Sequence, residues 1–304
     1  MRISTNTIYQ NGISRINDLT SDQAKLQQQI STMKRILTPS DDPVAAARAL
    51  QVEQAQSLNT QYASNRKTVT SQLSNVESNL NSVTDLIIST QSSVVNAGDG
   101  SYSDAQRADI AAQIRNNIGQ LLGIANSKDA SGNYIFAGYQ TSTKPYQTTT
   151  GTTYSGDSGQ ASVQVSAERS MPTGYTGDQV FKANGSDLFG TLNNLATLLE
   201  TPVTDAASQA ALTSGLASAS ASLSSSLTGV LTVRAQVGSN LNEIDSLNTS
   251  GTDMATQNAT TLSGLQDLDY AQALSDLTKN QTVLQAAQQS FIKITSLSLF
   301  DLLK

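Results

Sequence analysis

Residues 269–303, DYAQALSDLTKNQTVLQAAQQSFIKITSLSLFDLL, decide how the rest of the chain is read. As a helix, the segment places Ala273, Leu277, Asn280, Leu284, Ala287, Phe291 and Ile294 at alternating steps of four and three. That spacing keeps one apolar stripe facing a partner helix, as in a coiled coil. Asp269 followed by Gln272 predicts a capping box at the helix start. Beyond Ile294 the stripe widens into Leu297, Leu299, Phe300, Leu302 and Leu303, more apolar surface than a lone helix can expose. The segment therefore needs a partner.

The opening of the chain offers one. Ile16, Leu19, Gln23, Leu26, Ile30, Met33 and Leu37 also step by three and four. Residues 1–40 carry five basic and two acidic side chains, whereas residues 265–304 carry three basic and four acidic ones. Two amphipathic helices of similar length and weakly opposite charge are most economically paired with each other, each retaining the option of facing another subunit.

Composition narrows the function before any motif is considered. The 304 residues suffice for two or three domains. Aromatics make up only 5% and Trp is absent, which suits long thin helices better than a thick core. With no Cys and no His, the chain lacks thiolate nucleophiles, imidazole bases, disulfides and most transition-metal ligands. No cofactor is expected. A net charge of -6 without a basic cluster argues against nucleic acid as a partner. The first residues lack the apolar run of a signal peptide, and no stretch approaches 18 consecutive apolar residues, so no membrane partner is expected.

Between the termini the pattern is mainly helical. Asp42 suits an N-cap and Pro43 the first helical position. From there to about Asn96 a stripe of Ala55, Leu58, Tyr62, Asn65, Val69, Leu73, Val76, Leu80, Val83 and Ile87 runs without a breaker. Roughly 50 helical residues would span about 75 Å, which implies a rod. Ser103 with Gln106 predicts a second capping box, opening a helix that carries Ile114, Ile118, Leu121 and Ala125 to about Lys128. Residues 132–185 then hold 8 of the 19 Gly and 7 of the 14 aromatics. They read as a small, exposed β-rich insertion with strands at 134–139 and 161–167 and mobile hairpins over 147–160. Ser186 predicts the cap of a helix over 187–200, Pro202 breaks it, and Thr204 restarts a long helix through Leu247. The fold class is thus mainly α with a small β-rich insertion, an elongated helical rod or coiled coil with both termini at one end. Three parts are expected: 1–40 plus 265–304 as a terminal coiled coil, 41–131 plus 186–264 as a helical rod, and 132–185 as the insertion.

Catalytic constellations are weak. Gly156-Asp157-Ser158-Gly159 is similar to a serine-protease nucleophile loop, but that mechanism needs a His base. Four small or polar residues in a Gly-rich loop are better read as a turn. The insertion offers only Asp157, Glu168 and Asp178 as carboxylates, which keeps open an adhesin or carbohydrate-cleaving alternative.

Several motifs also carry a family resemblance. Met1-Arg2-Ile3-Ser4-Thr5, Gln29-Ile30-Ser31-Thr32 with Lys34-Arg35, and Pro39-Ser40-Asp41-Asp42-Pro43 resemble the N-terminal signature of flagellins and flagellin-like axial proteins. Val233-Arg234-Ala235-Gln236-Val237-Gly238, Leu284-Gln285-Ala286-Ala287 and Ser298-Leu299-Phe300-Asp301-Leu302-Leu303 are similar to the same superfamily. Within it, residues 132–139 (GNYIFAGY) and 174–178 (GYTGD) resemble the hook-associated members, with flagellin itself as the runner-up. One departure is Met33, where the family usually has Gly. The resemblance implies a non-enzymatic protein of the hook–filament junction, outside the cell on the bacterial flagellum. It further implies export through the flagellar type III channel without a cleaved signal, and assembly as a ring of copies. The ring would lie between the first hook-associated protein and flagellin, and an export chaperone would cover the C-terminal helix beforehand. On this reading the assembly interface comprises Ile16, Leu19, Leu26, Ile30, Leu277, Leu284, Phe291, Ile294, Leu297, Leu299, Phe300 and Leu302.

Overall fold

The computed structural model describes residues 5–147, 152–182 and 185–300, with side chains described for 7–147, 152–182 and 185–294. Seven helices and four short strands follow in the order α1 (Thr5–Thr32), α2 (Pro43–Ala97), α3 (Asp104–Ala125), β1 (Tyr146–Gln147), β2 (Thr153–Tyr154), β3 (Ser162–Gln164), β4 (Ser170–Pro172), α4 (Gly177–Phe181), α5 (Leu188–Glu200), α6 (Ala206–Gln266) and α7 (Tyr270–Phe300). The expected class, mainly helical with a small β insertion, is what is found. The chain divides into two compact units, one of Met1–Leu58 with Asp253–Lys304, the other of Asn59–Thr252.

The central unit, 59–252, contains a continuous hydrophobic core. Val69, Leu73, Val76, Leu80, Val83 and Ile87 of α2 enter it, as do Ile114 and Leu121 of α3. Leu188, Leu192, Leu195 and Leu199 of α5 meet Leu223, Val230, Val237 and Ile244 of α6 there. The α2 and α3 residues among them are the apolar positions that the periodicity selects. Ser103 and Gln106 form the expected capping box. Gly238, Gly251 and Gly264 leave α6 unbroken, because packing along its apolar stripe outweighs about 1 kcal/mol of glycine penalty. One window of α6 is long and apolar enough to match a membrane span by composition. Its buried leucines face the core instead.

Elsewhere structure departs from pattern. The stripe expected through Ala55 and Leu58 leaves both exposed. Gln56, Asn59 and Arg66 turn inward over this stretch, a polar register that hydrophobic periodicity cannot see. Arg66 is 4% exposed, its Nε donating to Asn248 Oδ1 at 2.7 Å and its Nη1 to the Val165 carbonyl at 2.9 Å. Helix α3 stops at Ala125, three residues short of Lys128, where Asn126 caps it. The cap of α5 is Asp187, whose carboxylate accepts from the Phe189 amide, one residue beyond Ser186.

The insertion differs most. Residues 134–139 form no strand. The Tyr134 amide donates to the Thr141 carbonyl and that of Ile135 to Ser127, while Gly138 adopts φ 74°. Among the described residues, the named strands pair as two antiparallel hairpins, β1–β2 and β3–β4. Of the residues expected as mobile hairpins, 148–151 lie outside those described. Nor is the segment simply exposed, for Phe136, Tyr146 and Phe181 are buried with Phe189 of α5. Their rings lie 4.8–5.6 Å apart, within the range of favourable aromatic pairs. Burial and the nearby Asp178 carboxylate push the Tyr146 hydroxyl well above its ordinary pKa, and burial likewise raises Tyr154 to about 12.

The protease-like loop is a turn. Asp157 Oδ1 accepts from the amides of Tyr139 at 2.9 Å and Gly159 at 2.8 Å.

Candidate assembly interface

In the terminal unit α1 packs on α7. The two are antiparallel: Gly12 faces Phe291 near one end, and Met33 meets Leu268 near the other. Gly12 matters because a Cβ there would lie 2.6 Å from Phe291 Cδ2. The missing side chain lets the Phe291 ring lie against the α1 backbone, 5.1 Å from the Tyr9 ring. Asp269 starts α7 as expected, accepting from the Gln272 amide at 3.0 Å. The Gln272 side chain turns away to Asp276, so the box closes on one side only.

The heptad seam is real but open. Ile16, Leu19, Leu26 and Ile30 are half-buried, as are Leu277, Leu284 and Phe291. Among the described side chains, α1 has none fully buried and α7 has only Ala273. Ile294, expected in the seam, is 53% exposed. Leu297, Leu299 and Phe300 lie among residues whose side chains are not described, and Leu302 lies outside the described residues. Ile8, Tyr9, Leu274, Val283 and Ile292 add further exposed apolar surface. Two helices alone cannot enclose an interior, so this pair holds far less apolar burial per residue than the central unit.

What fixes the pair is a polar elbow that periodicity missed. The seam was expected to run through Met33 and Leu37, but α1 ends at Thr32 and Met33 turns left-handed at φ 56°. That region is strained for any side chain and free for glycine, the residue that the family resemblance implies at this position. The turn aligns 33–35 with 266–268. The Leu268 amide donates to the Met33 carbonyl at 3.0 Å and the Arg35 amide to the Gln266 carbonyl at 2.7 Å. Arg35 Nη2 also donates to the Leu265 carbonyl at 2.9 Å, and its Nη1 pairs with Asp42 at 3.3 Å. Lys25 Nζ lies 2.7 Å from Asp41, whose other oxygen accepts from the Leu37 and Thr38 amides. Asp42 caps α2 through the Ala45 amide, as expected.

These bonds favour the ionised carboxylates. The Lys25 ammonium, with the Thr38 and Leu37 amides, holds Asp41 far below the ordinary carboxylate range. The Ala45 amide and Arg35 guanidinium lower Asp42. The departure at Met33 could have signalled the turn, but Lys25, Arg35 and Asp41 sit at no helical spacing that would announce their meeting.

A helical chain with a β insertion and a paired, apolar-faced helix from either end is the arrangement that the flagellin-like resemblance implies. The bacterial flagellin N-terminal helical region matches residues 3–141. Flagellar hook-associated protein 3 of Escherichia coli (strain K12) is 38% identical over 318 residues, covering all of both chains. The protein of the same name from Salmonella typhimurium (strain LT2) is 37% identical over 316 residues, covering 99% of each. The chain belongs to the flagellar hook-associated protein 3 family. Among solved structures, a putative flagellar hook-associated protein from Vibrio parahaemolyticus has a TM-score of 0.66 at 22% identity, covering 75% of this chain and 100% of that one. The flagellar junction protein FlgL from Legionella pneumophila has a TM-score of 0.64 at 18% identity, covering 72% and 100%. The family is that of a structural flagellar protein.

Proposed function

We propose that this chain is a structural junction protein of the bacterial flagellum, adapting the hook to the flagellin filament without catalysing a reaction. The observation that carries this reading is the open α1–α7 seam, whose half-buried leucines and isoleucines lack the enclosure found in the central unit. Copies packed side by side in a ring would complete that burial. In this reading the ring contacts the first hook-associated protein on one side and flagellin on the other, outside the cell. Residues 1–40 with 265–304 form its inner tube, 41–131 with 186–264 its helical wall, and 132–185 the part facing solvent. The interface comprises Ile16, Leu19, Leu26, Ile30, Leu277, Leu284, Phe291, Ile294, Leu297, Leu299, Phe300 and Leu302. Export through the flagellar type III channel would need an apolar C-terminal helix kept from aggregating, which suits a chaperone bound along α7.

A strain lacking the protein should build hooks and shed unpolymerised flagellin. The full chain should restore filaments, and a chain truncated after residue 274 should be exported or made in equal amount yet leave hooks bare. Normal filaments from the truncated chain would overturn the proposal.

A further inference from the structure

Asn11 and Gly12, the seventh and eighth residues of α1, form one of two Asn-Gly pairs in the sequence. The helix pair demands the glycine, because a Cβ there would come within 2.6 Å of the Phe291 ring. Asn11 beside it is exposed. The glycine that packing requires has a chemical consequence for the residue before it. Without a Cβ, the Gly12 nitrogen is unhindered toward the Asn11 side-chain carbonyl carbon, and glycine tolerates the backbone turn that a ring closure between them needs.

Within α1 that closure is blocked. Helical hydrogen bonding turns the Gly12 amide toward the preceding turn, and the helical backbone at Asn11 keeps its Cγ away from that nitrogen. The protection is only as good as the helix. Asn and Gly are both poor helix formers, no described side chain of α1 is fully buried, and the helix packs on α7. We propose that Asn11 is a deamidation site, closed while α1 and α7 are paired and open when they separate. The Gly12 nitrogen gives up its proton to water or hydroxide and bonds to Asn11 Cγ. The Cγ–Nδ2 bond breaks, and Nδ2 takes up a proton and leaves as ammonia, giving a five-membered succinimide. Water then adds at either ring carbonyl, yielding aspartate or isoaspartate. In isoaspartate the main chain runs through the former side chain, which adds one methylene to the backbone at residue 11. That interrupts the helical ladder and shifts Gly12 away from Phe291, so a reacted chain no longer re-forms the pair. The inference rests on the helix pair alone and is independent of the junction reading.

Peptide mapping by mass spectrometry tests it on the full chain warmed at mildly alkaline pH, with isoaspartate resolved from aspartate by retention time. Asn11 should react about tenfold faster in denaturing urea than in the folded chain, since opening of the helix then costs nothing. Phe291→Ala, outside the continuous core, should speed the reaction of the folded chain about fivefold at Asn11 and leave Asn184-Gly185 unchanged. Adding Gly12→Ala to that variant should slow it again about tenfold, because the new Cβ no longer meets a ring but does hinder closure. Isoaspartate-bearing chains returned from urea should regain less helical circular dichroism than unreacted ones, whereas an encoded Asn11→Asp chain should regain it fully. Equal rates at Asn11 in urea and in the folded chain, no acceleration by Phe291→Ala, or full recovery of helix by the isoaspartate chain would each overturn the proposal. So would undiminished reaction in the double variant, or an equal loss of helix in Asn11→Asp.

Discussion

Met33 shows what one side chain can say about a backbone. Its φ of 56° places a Cβ where L-residues are disfavoured by about 1–2 kcal/mol, while glycine there loses about 0.5–1 kcal/mol through its freer unfolded chain. Met33→Gly should therefore stabilise the elbow by about 0.5–1 kcal/mol, read as slower amide exchange at Leu268, whose N–H is held by the Met33 carbonyl. The carboxylate beside it gives a pH test. The folded state lowers the Asp41 pKa from 3.8, so its contribution is complete above that value and is lost as pH falls toward the depressed one. Resonances of Leu37 and Thr38 should hold their folded positions down to about pH 4 and move only in stronger acid. Asp41→Asn should displace them at neutral pH. A variant spectrum unchanged at pH 7 would remove Asp41 from the elbow.

At the level of elements, the long helices were legible because burial along one face leaves a periodic record. The stripe from Val69 to Ile87 and the α5 leucines are core residues for that reason. The α1–α7 seam was legible as well, although nothing in its spacing disclosed that Gly12 receives Phe291. Gly12→Leu should force the helices apart and weaken the pair by about 1–3 kcal/mol, seen as loss of its helical signal on mild heating while the central unit stays folded. Patterning failed where polar groups occupy the interior. Arg66 is buried among Asn248, Gly251 and the Val165 carbonyl, so it left no hydrophobic trace. Arg66→Leu should cost about 2–3 kcal/mol in urea unfolding, because it strands those partners away from water. The strand reading of 134–139 failed for a different reason. Its buried Phe136 and Ala137 belong to a loop whose amides bond to Ser127 and Thr141 rather than to a neighbouring strand.

For the whole molecule, the decisive contrast is between a unit with its own core and a unit without one. Among the described residues, every buried residue of the continuous core lies between Val69 and Ile244, within the central unit. Helices α1 and α7, of 28 and 31 residues, draw chiefly on each other. An isolated helix has little stability in water without a packed face, and α1 is rich in Ser, Thr and Asn, which are among the poorer helix formers. Removing the chain after Asp269 should therefore melt α1 along with the deleted helix. Far-UV circular dichroism would lose the signal of about 59 helical residues, although only 31 of the helical residues had been removed. The thermal midpoint of the central unit should stay within a few degrees of the full chain, since its core is untouched. A loss limited to α7 alone would mean that α1 is stable by itself. The open seam would then be a property of two independent helices, and the ring would have to be built from separate surfaces rather than from one interdependent pair.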